Sequence, residues 1–324
     1  MRTNPLGRTG LTVSAIGFGA WGIGGHTEGG GRSYGSTEDS VSVAALEAAF
    51  DAGVTYYDTA PLYGLGHSEE LIGATFHGAR RDRVVIATKV GYGDFTTPPD
   101  FTPAGIRHSV EASLRRLRSE RIDLLQLHDC DPGHLAAHPD ILDTLQTLRQ
   151  EGRIAAIGAS VKSPADALGL LQDSVVQVIQ ANFHMLDLRA LDCGLLALAE
   201  AQGAAIVART PLCFGFLTGR LTGDEVFAAD DHRSRWPRSQ LRAWAESART
   251  LLEIGEPGDD GTSTALRFVL SFPAVATTIP GMLNPAQVAE NTVAGKCPAL
   301  PPAALAEALR RSHALADRLK GNSP

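Results

Sequence analysis

Tyr56-Tyr57-Asp58-Thr59-Ala60-Pro61-Leu62-Tyr63-Gly64 is a short apolar run that stops at an acid, turns through a proline and then offers a phenol. The next apolar run, Val84 to Lys89, stops at a cation, and Ile122 to His128 stops at an imidazole. Short runs of this kind, separated by segments of helical period, read as parallel strands joined by helical crossovers. Successive strand ends then deliver an acid, an ammonium and an imidazole, with the phenol in the loop after the first.

The same rhythm continues on both sides. Candidate strands are Ala15 to Phe18, Thr55 to Asp58, Val84 to Lys89, Ile122 to His128, Ala155 to Ser160, Val176 to Ala181, Ala205 to Arg209 and Ala276 to Ile279, eight in all. Helical segments are expected around Glu69 to Phe76, Pro103 to Leu117, Pro139 to Glu151, Pro164 to Gln172 and Arg189 to Gln202. The helix after the first strand should be capped by Ser36 or Thr37, stopped by Gly53, and buried along Val43, Leu46 and Phe50. Eight strand-helix units without a Pro/Gly/Ser-rich linker predict one (β/α)8 TIM barrel domain over residues 1–324. The competing doubly wound sheet would carry a phosphate loop between first strand and helix. Gly22 to Gly35 is glycine-rich but lacks GxGxxG spacing, and is read as a flexible loop at the mouth. Thr3 to Ser14 reads as an N-terminal β-hairpin plugging the barrel. Phe214 to Gly261 is a long loop on the C-terminal face, helical from Gln240 to Ile254, and Pro301 to Leu319 is a closing helix.

Composition narrows the function. The 324 residues are 44% hydrophobic and 20% charged, with a formal charge of −7. That balance offers no broad attraction for nucleic acid or anionic lipid. Cys130, Cys193, Cys213 and Cys297 are scattered, which suits reduced thiols in the cytoplasm rather than disulfides or zinc. Met1 to Ser14 carries no apolar core of signal-peptide length, and no run approaches a membrane span. A soluble cytoplasmic protein is expected. His128 with Asp129 and Asp131 could suggest a metal, but no second histidine stands at ligand spacing, and no metal is expected.

Asp58, Tyr63, Lys89 and His128 are suited to moving a proton on or off an oxygen while a hydride moves at the attached carbon. A tyrosine titrates near 10 when unperturbed. An ammonium beside it stabilises phenolate, and an acid can hold that ammonium in place. His128 can donate to a carbonyl oxygen. Lys89 could alternatively serve a lyase or isomerase as a Schiff-base nucleophile.

Further motifs stand in a fixed order: Leu6-Gly7-Arg8-Thr9-Gly10-Leu11, Gly17-Phe18-Gly19-Ala20-Trp21, Asp58 to Gly64, Ala87-Thr88-Lys89, Ser113-Leu114-Arg115-Arg116-Leu117, Asp123 to His128, Gly152-Arg153-Ile154, Gly158-Ala159-Ser160, Ile279-Pro280-Gly281, Gln287 and Glu290-Asn291. With these the chain resembles the aldo-keto reductase superfamily over nearly its whole length. The resemblance implies an NAD(P)(H)-dependent oxidoreductase interconverting an aldehyde, ketone or sugar and its alcohol. It makes Tyr63 the general acid or base, tuned by Lys89 and Asp58, with His128 positioning the substrate oxygen. It implies that Ser160 and Gln180 hold the nicotinamide carboxamide, that Gly215, Leu217 and Gly219 wrap the pyrophosphate, and that Gly281, Gln287 and Asn291 line the adenosine end. Trp21 falls in the substrate pocket. Some members of the family accompany membrane channels as cofactor-binding sensors, which is the alternative role for this fold.

Three positions depart from the family pattern. Val161 follows Ser160 where asparagine is common. Arg209 stands where an aromatic ring often stacks on nicotinamide, a place from which it could instead reach pyrophosphate or an anionic substrate. Met282, Leu283 and Asn284 follow Gly281 where members that use NADP commonly place a lysine, serine or arginine for the 2'-phosphate. Family usage points to NADP(H), whereas these residues point to NAD(H) or dual use, with Arg220 or Arg233 able to compensate.

Overall fold

The computed structural model describes residues 1–26, 33–171, 175–256 and 258–320. β1 (Thr3–Pro5) pairs antiparallel with β2 (Thr12–Ser14). Eight strands follow: β3 (Phe18–Gly19), β4 (Tyr56–Asp58), β5 (Val85–Val90), β6 (Ile122–His128), β7 (Ile154–Ser160), β8 (Val178–Asn182), β9 (Ala205–Arg209) and β10 (Val275–Ile279). They lie side by side in chain order and every neighbouring pair is parallel. The ends of the sheet meet: the Gly17 amide donates to the Thr278 carbonyl at 2.8 Å, Gly19 to Pro280 at 3.0 Å, and Thr278 to Ala15 at 3.1 Å. This is the (β/α)8 barrel, and its chain-order closure excludes the doubly wound alternative. The first strand is shifted from its expected span, because Ala15 to Gly17 bond to β10 and the pairing with β4 begins only at Phe18.

Strand alternation decides which side chains face inward. Tyr56, Val85, Ala87, Leu124, Ala156, Val178, Ala205 and Val207 fill the N-terminal part of the interior, and Leu6 and Val13 of the hairpin close it from below. The next inward positions at the C-terminal end are Asp58, Lys89, Gln126, His128, Ser160, Gln180 and Arg209. One barrel thus has an apolar lower layer and a polar upper one. Outward-facing residues such as Tyr57, Ile86, Leu125, Ile157, Ile179 and Ile206 pack beneath the helices.

Several local expectations are corrected. The first helix spans Asp39–Asp51 with Glu38 as its N-cap and no side-chain cap bond. Ser36 is drawn away instead: its amide and hydroxyl both donate to Asp230 Oδ2, at 3.1 and 3.3 Å. Leu46 is buried with Ala45 and Ala49, whereas Val43 and Phe50 are only part-buried. The segment after β8 breaks into Arg189–Asp192 and Leu195–Ala201 at Gly194, whose φ is +82°. Pro164–Asp166 is a 3₁₀ turn followed by a short helix, Ala167–Leu170, and Gln172 lies outside the described residues. Pro132–Ala137, Gly261–Val269 and Pro285–Ala294 are helices with no counterpart among the expected segments. In the glycine-rich stretch, residues 27–32 lie outside the described residues. Among the described residues no helix is long and apolar enough to cross a membrane.

Candidate active site

Neighbouring strands carry the polar layer in a continuous register. Lys89 lies opposite Gln126, His128 opposite Ser160, Ser160 opposite Gln180, and Asn182 opposite Arg209. Lys89 is fully buried. Its ammonium donates to Asp58 Oδ1 at 2.6 Å, to the Thr59 carbonyl at 2.8 Å and to the Tyr63 hydroxyl at 3.2 Å. An ammonium has three protons, and here each has an acceptor. Burial pushes the Lys89 pKa down, but Asp58 and Tyr63 together outweigh it and the net shift is upward. A lysine held charged with all three donors engaged is poorly placed to attack a carbonyl as a free amine, which speaks against the Schiff-base alternative.

Asp58 is equally well held. Its second oxygen, Oδ2, accepts from Gln180 Nε2 at 2.6 Å and from Gln126 Nε2 at 3.0 Å. Tyr63 sits in the turn after β4, part-buried, with the Lys89 ammonium 4.8 Å from its ring centroid. Burial raises the phenol's pKa, and the opposing pull of Lys89 is the smaller effect, so the net shift is upward. The phenol is therefore protonated at neutral pH, ready to donate. Its ring meets His128 edge-on at 6.3 Å, and Tyr92 covers His128 from another side at 5.6 Å. Burial, with Lys89, Arg209 and Lys162 nearby, holds the His128 imidazolium far below its usual pKa, so the ring is neutral. Its Nδ1 is buried with no hydrogen-bond partner.

The residues expected to meet a cofactor fall in two places. Ser160 donates to Gln180 Oε1 at 3.3 Å, inside the barrel mouth beside Asp58. Arg209 reaches across β8 to donate to the Val161 carbonyl at 2.8 Å, and its Nε is buried without a partner. Gly215, Gly281, Gln287 and Asn291 line a separate groove of about 160 Å³ that also includes Tyr34, Arg220 and Glu290. Gln287 accepts from the Leu283 amide at 2.7 Å and Asn291 donates to the Gly281 carbonyl at 3.5 Å, so both brace the turn after β10. Leu217 is fully buried, which leaves only its backbone to offer, and Gly219 ends the 3₁₀ segment in a left-handed turn. Trp21 packs at the mouth against Tyr34 and His232, with ring centroids 5.2 and 4.8 Å away. A long ligand with a planar amide at one end and phosphates along its length fits this layout, with Gly215 (φ +99°) in the groove wall beside the Arg233 guanidinium.

The Aldo/keto reductase family model matches residues 15–308. The chain belongs to that family. It is 31% identical over 297 residues to the aldo-keto reductase YhdN of Bacillus subtilis, covering 89% of this chain and 87% of the relative. The NADH-specific methylglyoxal reductase of Escherichia coli is 30% identical over 316 residues, covering 91% and 93%. Among solved structures, the glycerol dehydrogenase of Gluconobacter oxydans superposes with a TM-score of 0.78 at 30% identity, covering 99% of this chain and 96% of that one. The protein is an NAD(P)H-dependent oxidoreductase of the aldo-keto reductase family.

In this aldo-keto reductase both candidate compensating cations line the groove and both are paired. Arg220 is paired with Glu290, whose carboxylate also accepts from Thr262. Arg233 is held by Asp231 at 2.6 Å and lies 5.0 Å from the Tyr34 ring centroid. Both guanidinium groups already have a carboxylate. Gln126 and Glu290 complete the site and were given no role in it from the sequence, whereas Tyr92 was expected at the mouth beside Trp21. Strand alternation does place Gln126 on the His128 face of β6; nothing in the sequence says that it meets Asp58 across the barrel.

Proposed function

We propose that this protein, with residues 1–324 acting as one barrel domain, interconverts a small carbonyl compound and its alcohol, with Tyr63 as the proton donor in reduction. The observation that carries the reading is the Lys89 ammonium, 3.2 Å from the Tyr63 hydroxyl and fixed there by Asp58 and the Thr59 carbonyl. As the carbonyl oxygen gains charge, the Tyr63 O–H breaks and its proton passes to that oxygen. Lys89 stabilises the phenolate left behind. The neutral His128 offers one N–H to orient the same oxygen. In oxidation the phenolate takes the alcohol proton back. When bound, the nicotinamide supplies the hydride to the carbonyl carbon, or receives it in the other direction.

Ser160 and Gln180 are the groups for the carboxamide; because Gln180 Nε2 donates to Asp58, its Oε1 is the atom it has to offer. Gly215, Leu217 and Gly219 would present backbone to the pyrophosphate, and Gly281, Gln287 and Asn291 would take the adenosine end. Arg209 is the cation beside the nicotinamide. Trp21 and Tyr92 flank the substrate at the mouth, which suits a small aldehyde, ketone or sugar. The likeness to a methylglyoxal reductase and a glycerol dehydrogenase supports small polar substrates.

The preferred cofactor is NAD(H). A 2'-phosphate needs charged or multiple donors, and the two cations that line this groove, Arg220 and Arg233, are each already engaged by a carboxylate. Met282 is fully buried, Arg220 and Arg233 are already paired, and Glu290 adds a carboxylate to the groove wall. The NADH-specific relative supports the same reading. Steady-state kinetics on a panel of aldehydes, ketones and sugars with each cofactor tests it: kcat/KM should be higher with NADH than with NADPH. A strong NADPH preference would refute the cofactor assignment, and no turnover of any carbonyl with either would refute the activity.

A further inference from the structure

Gln126 is a fully buried amide in the polar layer, two residues before His128 on the inward face of β6. Its Nε2 donates to Asp58 Oδ2 at 3.0 Å, while its Oε1 is buried with no hydrogen-bond partner. A buried group left half-satisfied is unfavourable, whereas an apolar side chain of the same shape carries no such penalty. Methionine would fill the same space. Packing alone therefore does not account for an amide here.

The bond it makes does. Asp58 Oδ2 receives donors from two strands, Gln126 on β6 and Gln180 on β8. Two donors on one oxygen fix the plane of the carboxylate, so that the other oxygen stays on the Lys89 ammonium at 2.6 Å. Lys89 in turn meets the Tyr63 hydroxyl. If Gln180 turns toward a bound cofactor, Gln126 is the donor that keeps Asp58 in place.

We propose that Gln126 is a positioning residue for proton transfer, acting through Asp58 and Lys89 to hold the Tyr63 hydroxyl in its donating geometry. This inference rests on Tyr63 being the proton donor. The test is Gln126→Met, measured as the single-turnover rate of hydride transfer with saturating cofactor and carbonyl substrate, in H2O and D2O. Cofactor affinity by fluorescence titration and Tm are read on the same variant. The expected result is a rate lower by about tenfold to a hundredfold, the range that a small misplacement of reacting groups produces. The solvent isotope effect should rise, cofactor affinity should not change, and Tm should fall no further than the loss of one hydrogen bond to a carboxylate accounts for. An unchanged rate would overturn the inference. So would a slower rate accompanied by weaker cofactor binding and a Tm lowered beyond the loss of one hydrogen bond, or a variant that does not fold, because the amide would then be structural. Tyr63→Phe run in parallel separates the two readings: if it turns over normally, the proton-donor assignment itself fails, whereas an inactive Tyr63→Phe beside a fully active Gln126→Met removes only the role of Gln126.

Discussion

Lys89→Met removes the ammonium while keeping a flexible chain of similar length in a fully buried site. With the ammonium 3.2 Å from the Tyr63 oxygen, its attraction for a phenolate is about 5 kcal/mol at an effective dielectric near 20. Asp58 works against that attraction. No more than the two bond lengths, 2.6 and 3.2 Å, can separate its Oδ1 from the phenol, which sets its repulsion at about 3 kcal/mol or more. If Asp58 stays charged in the variant, the full attraction is lost. If it takes up a proton, its repulsion disappears as well and the loss falls to about 2 kcal/mol or less. The single-turnover rate of carbonyl reduction, followed at the nicotinamide absorbance band, should therefore drop by about several thousandfold in the first case and by up to about thirtyfold in the second. Stability should fall too, by about 3–5 kcal/mol, because a buried carboxylate is left without its partner. Asp58→Asn combined with Lys89→Met should restore Tm but not the rate. A folded Lys89→Met variant within about threefold of the parent rate would refute the electrostatic account, since that corresponds to less than 1 kcal/mol.

Three further outcomes follow from the same geometry. Because His128 titrates far below its ordinary value in the folded chain, the unfolded chain binds the proton more readily. Its contribution to stability is complete above about pH 6.5 and is lost as pH falls from there toward the folded pKa. Urea denaturation of the protein and of His128→Gln from pH 8 to pH 5 should show the parent losing stability faster on the acid side; parallel curves would contradict the neutral imidazole. The same neutrality predicts that kcat for reduction has no ionisation assignable to His128 between pH 5 and 8, so an acid limb that vanishes in His128→Gln would count against it. Glu290→Gln should release Arg220 toward the adenosine ribose and tighten NADPH binding by about tenfold, or about 1.4 kcal/mol, leaving NADH nearly unchanged; equal effects on both cofactors would show that Glu290 does not read the ribose.

The catalytic layer was legible because period-two alternation acts on each strand separately. Asp58, Lys89 and His128 lie at the C-terminal ends of three largely apolar runs, and the structure places all three on the same inward face. The hairpin was legible for a similar local reason: Gly7 and Gly10 both adopt positive φ in the turn between its strands. What could not be read depends on partners far along the chain. Gln126 meets Asp58 from a residue 68 positions away. Ser36 forgoes the helix cap because Asp230, 194 positions on, offers a carboxylate. Arg220 looked available as an isolated cation, and only the Pro285–Ala294 helix brings Glu290 to it, 70 positions on; the partner of Arg233 is local, Asp231 two residues before it. The effect of Lys89 on Tyr63 was anticipated in sign, but burial exceeds it, and the extent of burial is set by the whole mouth rather than by one strand.

The most direct test of the proton-donor assignment is Tyr63→Phe, which keeps the ring and removes only the O–H. Hydride transfer to a carbonyl substrate in a single turnover should slow by about a hundredfold to ten-thousandfold, the usual weight of a general acid, while NADH affinity by fluorescence titration stays at the parent value. A variant that binds NADH normally and reduces the substrate at close to the parent rate would contradict Tyr63 as the donor.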